Sequence, residues 1–244
     1  MLWLQLFLPF AAGFFLSYVY RTANAVIAPL IGRELGLGEG DLGLLTSTYF
    51  LAFGLAQLPV GVLLDRYGPR RVESGLLLLT ALGAVIYGSA HSLESLAAGR
   101  AIIGLGVSAC LMGPLKAFAM SYPKERLASL TSWVMAAGGL GAIAAATPLD
   151  WVLGMTTWRT VCLVGAGVTV VVAALIYLVV PERPTAATPP LPGGSLMEQV
   201  RDIRRVFGAR QFWRFAPMAF FFTAGISTAI STSRSTLKGT VMIT

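Results

Sequence analysis

Charged residues are scarce in this chain. Asp, Glu, Lys and Arg make up 12% of its 244 residues, against 56% hydrophobic. A soluble domain usually carries about a quarter charged residues, so the deficit is too large for a water-facing surface. Cysteine and histidine are scarcer still. Cys110 and Cys162 lie inside apolar runs with no pairing or metal spacing, and His91 has no partner ligand. No disulfide framework, metal site or cofactor is expected from them. No glycine loop ending in Lys-Ser or Lys-Thr is present to cradle phosphates, so nucleotide hydrolysis is unsupported. Clusters of His, Asp and Glu, which a membrane-embedded enzyme would place at the membrane face, are lacking too. The net charge of +7 would suggest nucleic acid in a soluble protein. Here no aromatic-plus-basic sheet motif accompanies it, and the cations gather in particular loops, so no nucleic-acid partner is expected.

What is present is a series of long uncharged runs. A spanning helix needs roughly 20 mostly apolar residues. Residues 42–64, 74–93, 127–149, 160–181 and 215–233 contain no charge. Residues 2–31 are interrupted only by Arg21, and residues 95–122 only by Arg100 and Lys116. These make seven crossings of a lipid bilayer. The first lacks a positive leading region, is too long for a signal peptide and holds an arginine, so it reads as a retained helix.

Loop charge sets the orientation. Even-numbered loops hold eleven Lys and Arg, including Arg66, Arg70, Arg71, Lys124 and Arg126, whereas odd loops hold only Arg33 and Arg159. The expectation is a multi-pass protein of the bacterial inner membrane with a cytoplasmic N-terminus. The sixth loop is broken by Pro181, Pro184, Pro189, Pro190 and Pro192. Ser195 then stands three residues before Glu198, a capping-box spacing. Leu196, Val200, Ile203 and Phe207 follow at helical spacing against a basic face, which predicts a helix lying along the membrane surface. The expected organisation is a six-helix domain over 1–181, a linker with a surface helix over 182–211, a seventh helix over 212–232 and a polar tail over 233–244.

The second loop reads Gly61-Val-Leu-Leu-Asp65-Arg66-Tyr-Gly68-Pro69-Arg70-Arg71. It resembles the signature loop of the major facilitator superfamily, at the topological position where that family has it, and departs from the pattern at Pro69. Arg100, Gly104 and Gly106 resemble the family's fourth-helix pattern, and Gly138-Gly139-Leu140-Gly141 through Pro148 its glycine-rich fifth helix. The resemblance implies an all-α membrane bundle whose first half is two inverted three-helix repeats, with a seventh helix following. It also implies a conformational latch at Asp65, Arg66, Arg70 and Arg71, and substrate movement by alternating access. The family has twelve helices, so a truncated transporter, monomeric when full length, is expected. A drug or metabolite exporter of the same superfamily, and a non-transporting sensor or inactive fragment, remain alternatives.

Charge inside a membrane helix is costly and tends to face a cavity. Arg21 falls roughly 6 Å past the middle of the first crossing. Lys116 and Arg100 fall roughly 12 Å from the middle of the fourth, on opposite sides. Residues 18–24, with Pro29 after them, resemble the first helix of the organophosphate:phosphate antiporter family, and residues 112–116 a fourth-helix segment of the same relatives. That resemblance implies an anionic substrate, carboxylate or phosphorylated, held by Arg21 and Lys116. A guanidinium offers a donor fork suited to either group. The base that those antiporters carry in the seventh helix is missing from 215–230, which weakens a sugar phosphate and leaves carboxylates open. Asn24, Tyr49 and Gln57 are polar enough to touch a substrate, and helix-packing hydrogen bonds are the competing use of each. Arg100 could instead pair with Asp150. No acid is read near the middle of a crossing, so no proton carrier is assigned.

Overall fold

The computed structural model describes residues 2–181. The predicted linker, surface helix, seventh helix and tail lie outside the described residues. Within them the chain forms α1 (Leu2–Leu35), α2 (Glu39–Gly88), α3 (Leu93–Val107), α4 (Met112–Ala119), α5 (Lys124–Ala144), α6 (Thr147–Leu153) and α7 (Trp158–Val179). No strand occurs among the described residues. Local sequence sets the boundaries. Gly36 ends α1 at a φ of 64°, and the Leu37 amide bonds the Gly32 carbonyl at 3.0 Å, the pattern of a glycine-terminated helix. Ser92 accepts from the Ser95 amide and Thr157 from the Thr160 amide, capping α3 and α7.

The seven elements make the six crossings read from the sequence over 1–181. α2 supplies two of them. Its backbone leaves helical geometry only at Gly68, where φ is 79° and ψ 160°. A side chain at that φ is strained, and Pro69 bars the residue before it from the helical region. Pro69 itself is suited to start the next arm. The signature loop is therefore a one-residue turn between an arm at 39–67 and an arm at 69–88. The fourth crossing is α3 and α4, broken at 108–111. The fifth is α5 and α6, broken at 145–146.

Small residues decide which helices meet. A Cβ on Gly104 would overlap the Tyr49 carbonyl in the first arm of α2. One on Gly106 would overlap the Thr80 hydroxyl and lie 2.6 Å from the Leu76 carbonyl in the second arm. So α3 is wedged against both arms. On α5, a Cβ at Gly138 would lie 2.5 Å from the Phe14 ring, and one at Gly141 would overlap the Phe15 carbonyl, which seats α5 on α1. Gly88 does the same for α7, with Cys162 Cβ 2.9 Å away. The first crossing thus packs on the fifth and sixth, the fourth on the second and third, and the third on the sixth. Exchanging crossings 1–3 with 4–6 maps this pairing onto itself, as an inverted repeat requires.

The interior is apolar and centred on Phe10, Ile31, Leu45, Leu77, Leu96, Ile103, Phe118 and Ile176, all 2% exposed or less. The outside is apolar too. Leu51, Leu140, Ile143 and Leu178 are 61–75% exposed, far more contiguous apolar surface than water tolerates. Five helical stretches are long and apolar enough to cross a membrane, one of them the 50-residue α2 that crosses twice.

Candidate functional site

Arg21 sits two to three residues past the middle of α1. Its guanidinium carbon lies 5.3 Å from the Tyr18 ring centroid, 5.5 Å from Phe50 and 5.4 Å from Phe53. Rings at this distance attract a cation through their quadrupoles. They neutralise none of its charge. The two described ion pairs, Lys116–Asp65 and Arg159–Glu34, do not involve it, and its Nε is buried without a hydrogen-bond partner. Arg21 is a half-buried cation with this one donor unused among the described residues.

Lys116 lies elsewhere. It pairs with Asp65 at the signature loop. Phe53, beside Arg21, and Asp65 stand twelve residues apart on one arm of α2, roughly 18 Å along the axis. The structure does not bring Lys116 to Arg21. It joins the fourth crossing to the signature loop instead. The other motif residues divide similarly. Arg66 lies over the Tyr67 ring at 5.3 Å and Arg70 over Tyr177 of α7 at 4.8 Å. Arg71, exposed, has its carbonyl bonded by the Ser74 hydroxyl at 3.1 Å. Gly68 is the turn, while Gly61 is exposed, with open space where a Cβ would be.

Arg100 is 3% exposed. It donates to the Tyr20 carbonyl at 3.1 Å and lies over Tyr87 at 5.0 Å and Tyr49 at 5.6 Å. Asp150 is exposed and is not its partner. Asn24, 8% exposed, donates to Thr46 Oγ1 and accepts from the Tyr87 hydroxyl, each at 3.1 Å. Tyr20 and Thr169 share a hydroxyl bond of 2.9 Å. Tyr20, Asn24, Tyr87 and Arg100 form the polar side of a cavity of about 330 Å³ between α1, the second arm of α2, α3, α5 with α6, and α7. Its remaining wall is almost wholly apolar, and neither Arg21, Lys116 nor Gln57 lines it. Gln57 makes only a long 3.4 Å contact to the Ser108 carbonyl.

Two features escape a reading of the sequence alone. At the end opposite the signature loop, Glu34 accepts from Arg159 and, at 2.6 Å, from Trp158 Nε1. Arg159 also donates to the Ala90 carbonyl at 3.0 Å and stands 3.4 Å from His91 Nδ1. This cluster ties α1, the loop between α2 and α3, and α7 across 125 residues. The second is Glu73, 0% exposed in the interior, although the charge pattern places it with the loop cations. Its period did carry a signal. Glu73, Leu77, Thr80, Ala84 and Tyr87 fall on one helical stripe, and all are buried.

Comparison with known proteins agrees with this geometry. A probable sulfoacetate transporter of Cupriavidus necator is 31% identical over 110 residues, 45% of this chain and 26% of that protein. The D-galactonate transporter of Escherichia coli O6:H1 is 27% identical over 170 residues, 69% of this chain and 39% of that protein. Among solved structures, a bacterial homologue of the human lysosomal transporter Spinster, inward-facing and unoccupied, superposes with a TM-score of 0.68 at 20% identity. That match covers 85% of this chain and 50% of the other. The chain thus spans half or less of each of these proteins. The family profile described as Major Facilitator Superfamily matches residues 10–242, and with the six crossings, their pairing and the signature loop in place, this chain belongs to the major facilitator superfamily, as a multi-pass membrane protein carrying the six-helix N-terminal half of a transporter.

Proposed function

We propose that the protein moves a small organic anion across the bacterial inner membrane by alternating access, with its N-terminus in the cytoplasm and Arg21 holding the anion. The observation that carries this reading is the guanidinium of Arg21, which enters neither of the two described ion pairs and is ringed by Tyr18, Phe50 and Phe53. A half-buried guanidinium with no described acid beside it offers its donor fork to a carboxylate or sulfonate through charge-assisted hydrogen bonds. The named substrates of the relatives, sulfoacetate and D-galactonate, carry such groups. Lys116 serves the latch at Asp65 in this reading rather than the anion. Asn24 and Arg100 hold the cavity wall beside α1, and Gln57 is left as a secondary contact.

The test is thermal unfolding of purified protein with D-galactonate and sulfoacetate, wild type beside Arg21→Ala and Arg21→Lys. Ligand at 100 times its Kd stabilises by about 2.7 kcal/mol. Wild type should respond, Arg21→Ala should not, and Arg21→Lys should respond weakly because it lacks the fork. Equal responses from wild type and Arg21→Ala would remove Arg21 from the site.

A further inference from the structure

Glu73 stands four residues into the second arm of α2, on the side of the signature loop. Its carboxyl fills a slot made by glycines on two other helices. A Cβ on Gly113 of α4 would overlap Oε2 and lie 3.1 Å from the carboxyl carbon. A Cβ on Gly13 of α1 would lie 2.7 Å from Oε1, with the Leu77 and Ile176 side chains beside it at 3.6 and 3.5 Å. Neither carboxyl oxygen has a hydrogen-bond partner among the described residues. Three helices therefore close on an acid that none of them hydrogen-bonds. An unpaired carboxylate ion in such a slot is far costlier than the neutral acid, which tolerates the same burial.

The ionisable groups on the surrounding elements do not compensate it. Cys110, just ahead of α4, is fully buried and free. Lys116, three residues past Gly113, is committed to Asp65. Arg70 lies over the Tyr177 ring of α7, and Arg71 is exposed. On α1, Arg21 is eight residues beyond Gly13, roughly 12 Å along the axis.

We propose that Glu73 is a proton-binding site separate from Arg21: it holds a proton while α1 and α4 are closed on the second arm of α2, and releases it when they part. In the step itself the carboxylic O–H bond breaks, the proton passes to water, and a carboxylate remains. That carboxylate needs water or a cation, which the glycine slot admits only after the helices separate. Proton exchange and helix separation are then one event. Because Gly13 and Arg21 share α1, the same movement reaches the anion site. This last link rests on the anion reading above.

The experiment uses the protein in liposomes, wild type beside Glu73→Gln, with two readouts. Infrared difference spectroscopy follows the C=O band of protonated carboxyls through a pH titration, and D-galactonate affinity is measured at each pH. Wild type should lose one carboxyl band in a single step that Glu73→Gln lacks. Across that step the wild-type Kd should rise by up to about tenfold per pH unit, the limit for one linked proton. Glu73→Gln, which mimics the neutral acid, should bind like wild type at low pH and show no slope. An unchanged band and step in Glu73→Gln, or a flat wild-type Kd across the step, overturns the proposal. If D-galactonate fails to bind wild type at all, the anion reading falls, and the infrared step alone decides Glu73. A step absent from wild type overturns the site, and a step removed by Glu73→Gln sustains it.

Discussion

Gly106 offers the sharpest test of how this bundle is held together. In Gly106→Ala the new Cβ would overlap the Thr80 hydroxyl and lie 2.6 Å from both the Leu76 carbonyl and the Thr80 amide. Ordinary contact begins near 3.4 Å, a shortfall of about 0.8 Å. The Thr80 hydroxyl can rotate away, but the two backbone atoms cannot, so α3 must lift from the second arm of α2. The lift spreads along the seam, where a Cβ on Gly99 or Gly83 would lie 2.8 Å from the Tyr87 or Ile103 amide nitrogen. Overpacking of this kind costs about 3 kcal/mol at its upper end. Alanine returns about 0.5–1 kcal/mol through lower backbone entropy. The expected net loss is about 2 kcal/mol. Gly139→Ala is the internal control, because a Cβ there meets open space, and it should gain the same fraction of a kcal/mol. Reversible unfolding in mixed micelles should separate the two variants by about 3 kcal/mol. Removing the hydroxyl with Thr80→Ala should not rescue Gly106→Ala. Equal stability of Gly106→Ala and Gly139→Ala would refute the claim that backbone contact sets this seam.

Other variants probe the polar groups. Asn24→Leu leaves the buried Tyr87 hydroxyl without its acceptor, and one orphaned buried group costs about 1–3 kcal/mol, while the exposed Thr46 hydroxyl keeps its bond to the Leu42 carbonyl. Unfolding should show a loss larger than Asn24→Ser, which keeps one bond. Lys116→Gln breaks a pair whose acid is 70% exposed, so stability should fall by less than about 1 kcal/mol. Its D-galactonate response should equal wild type, in contrast to Arg21→Ala. A lost response in Lys116→Gln would return that lysine to the binding site.

Much of the fold was legible because lipid imposes one rule on sequence. Every crossing must be a long run with little charge, and the runs at 42–64, 74–93, 127–149 and 160–181 each fall on one helical crossing, the first two on the two arms of α2 and the third on α5 with α6. Arg21, Arg100 and Lys116 stood out for the same reason. Their partners did not. Lys116 and Asp65 are 51 residues apart and Arg159 and Glu34 are 125 apart, and nothing in a linear charge count joins them. Arg100 looked suited to Asp150 by depth alone, yet rotation about the helix turns it toward Tyr20, Tyr49 and Tyr87. Glu73 was hidden by its neighbours. With Arg70 and Arg71 just before it, it reads as the end of a charged loop, and only the single-residue turn at Gly68 puts it inside the helix. The breaks at 108–111 and 145–146 were invisible because they interrupt hydrogen bonding without interrupting hydrophobicity.

Both native cysteines are buried and free, and the whole sequence holds only these two. The protein is therefore its own silent background for thiol chemistry. An engineered cysteine at His91, between α2 and α3, and another at Lys124, at the start of α5, stand at opposite ends of the bundle. A membrane-impermeant maleimide added to intact cells would react from one side only. The native chain thus permits topology mapping at any exposed loop with Cys110 and Cys162 left in place.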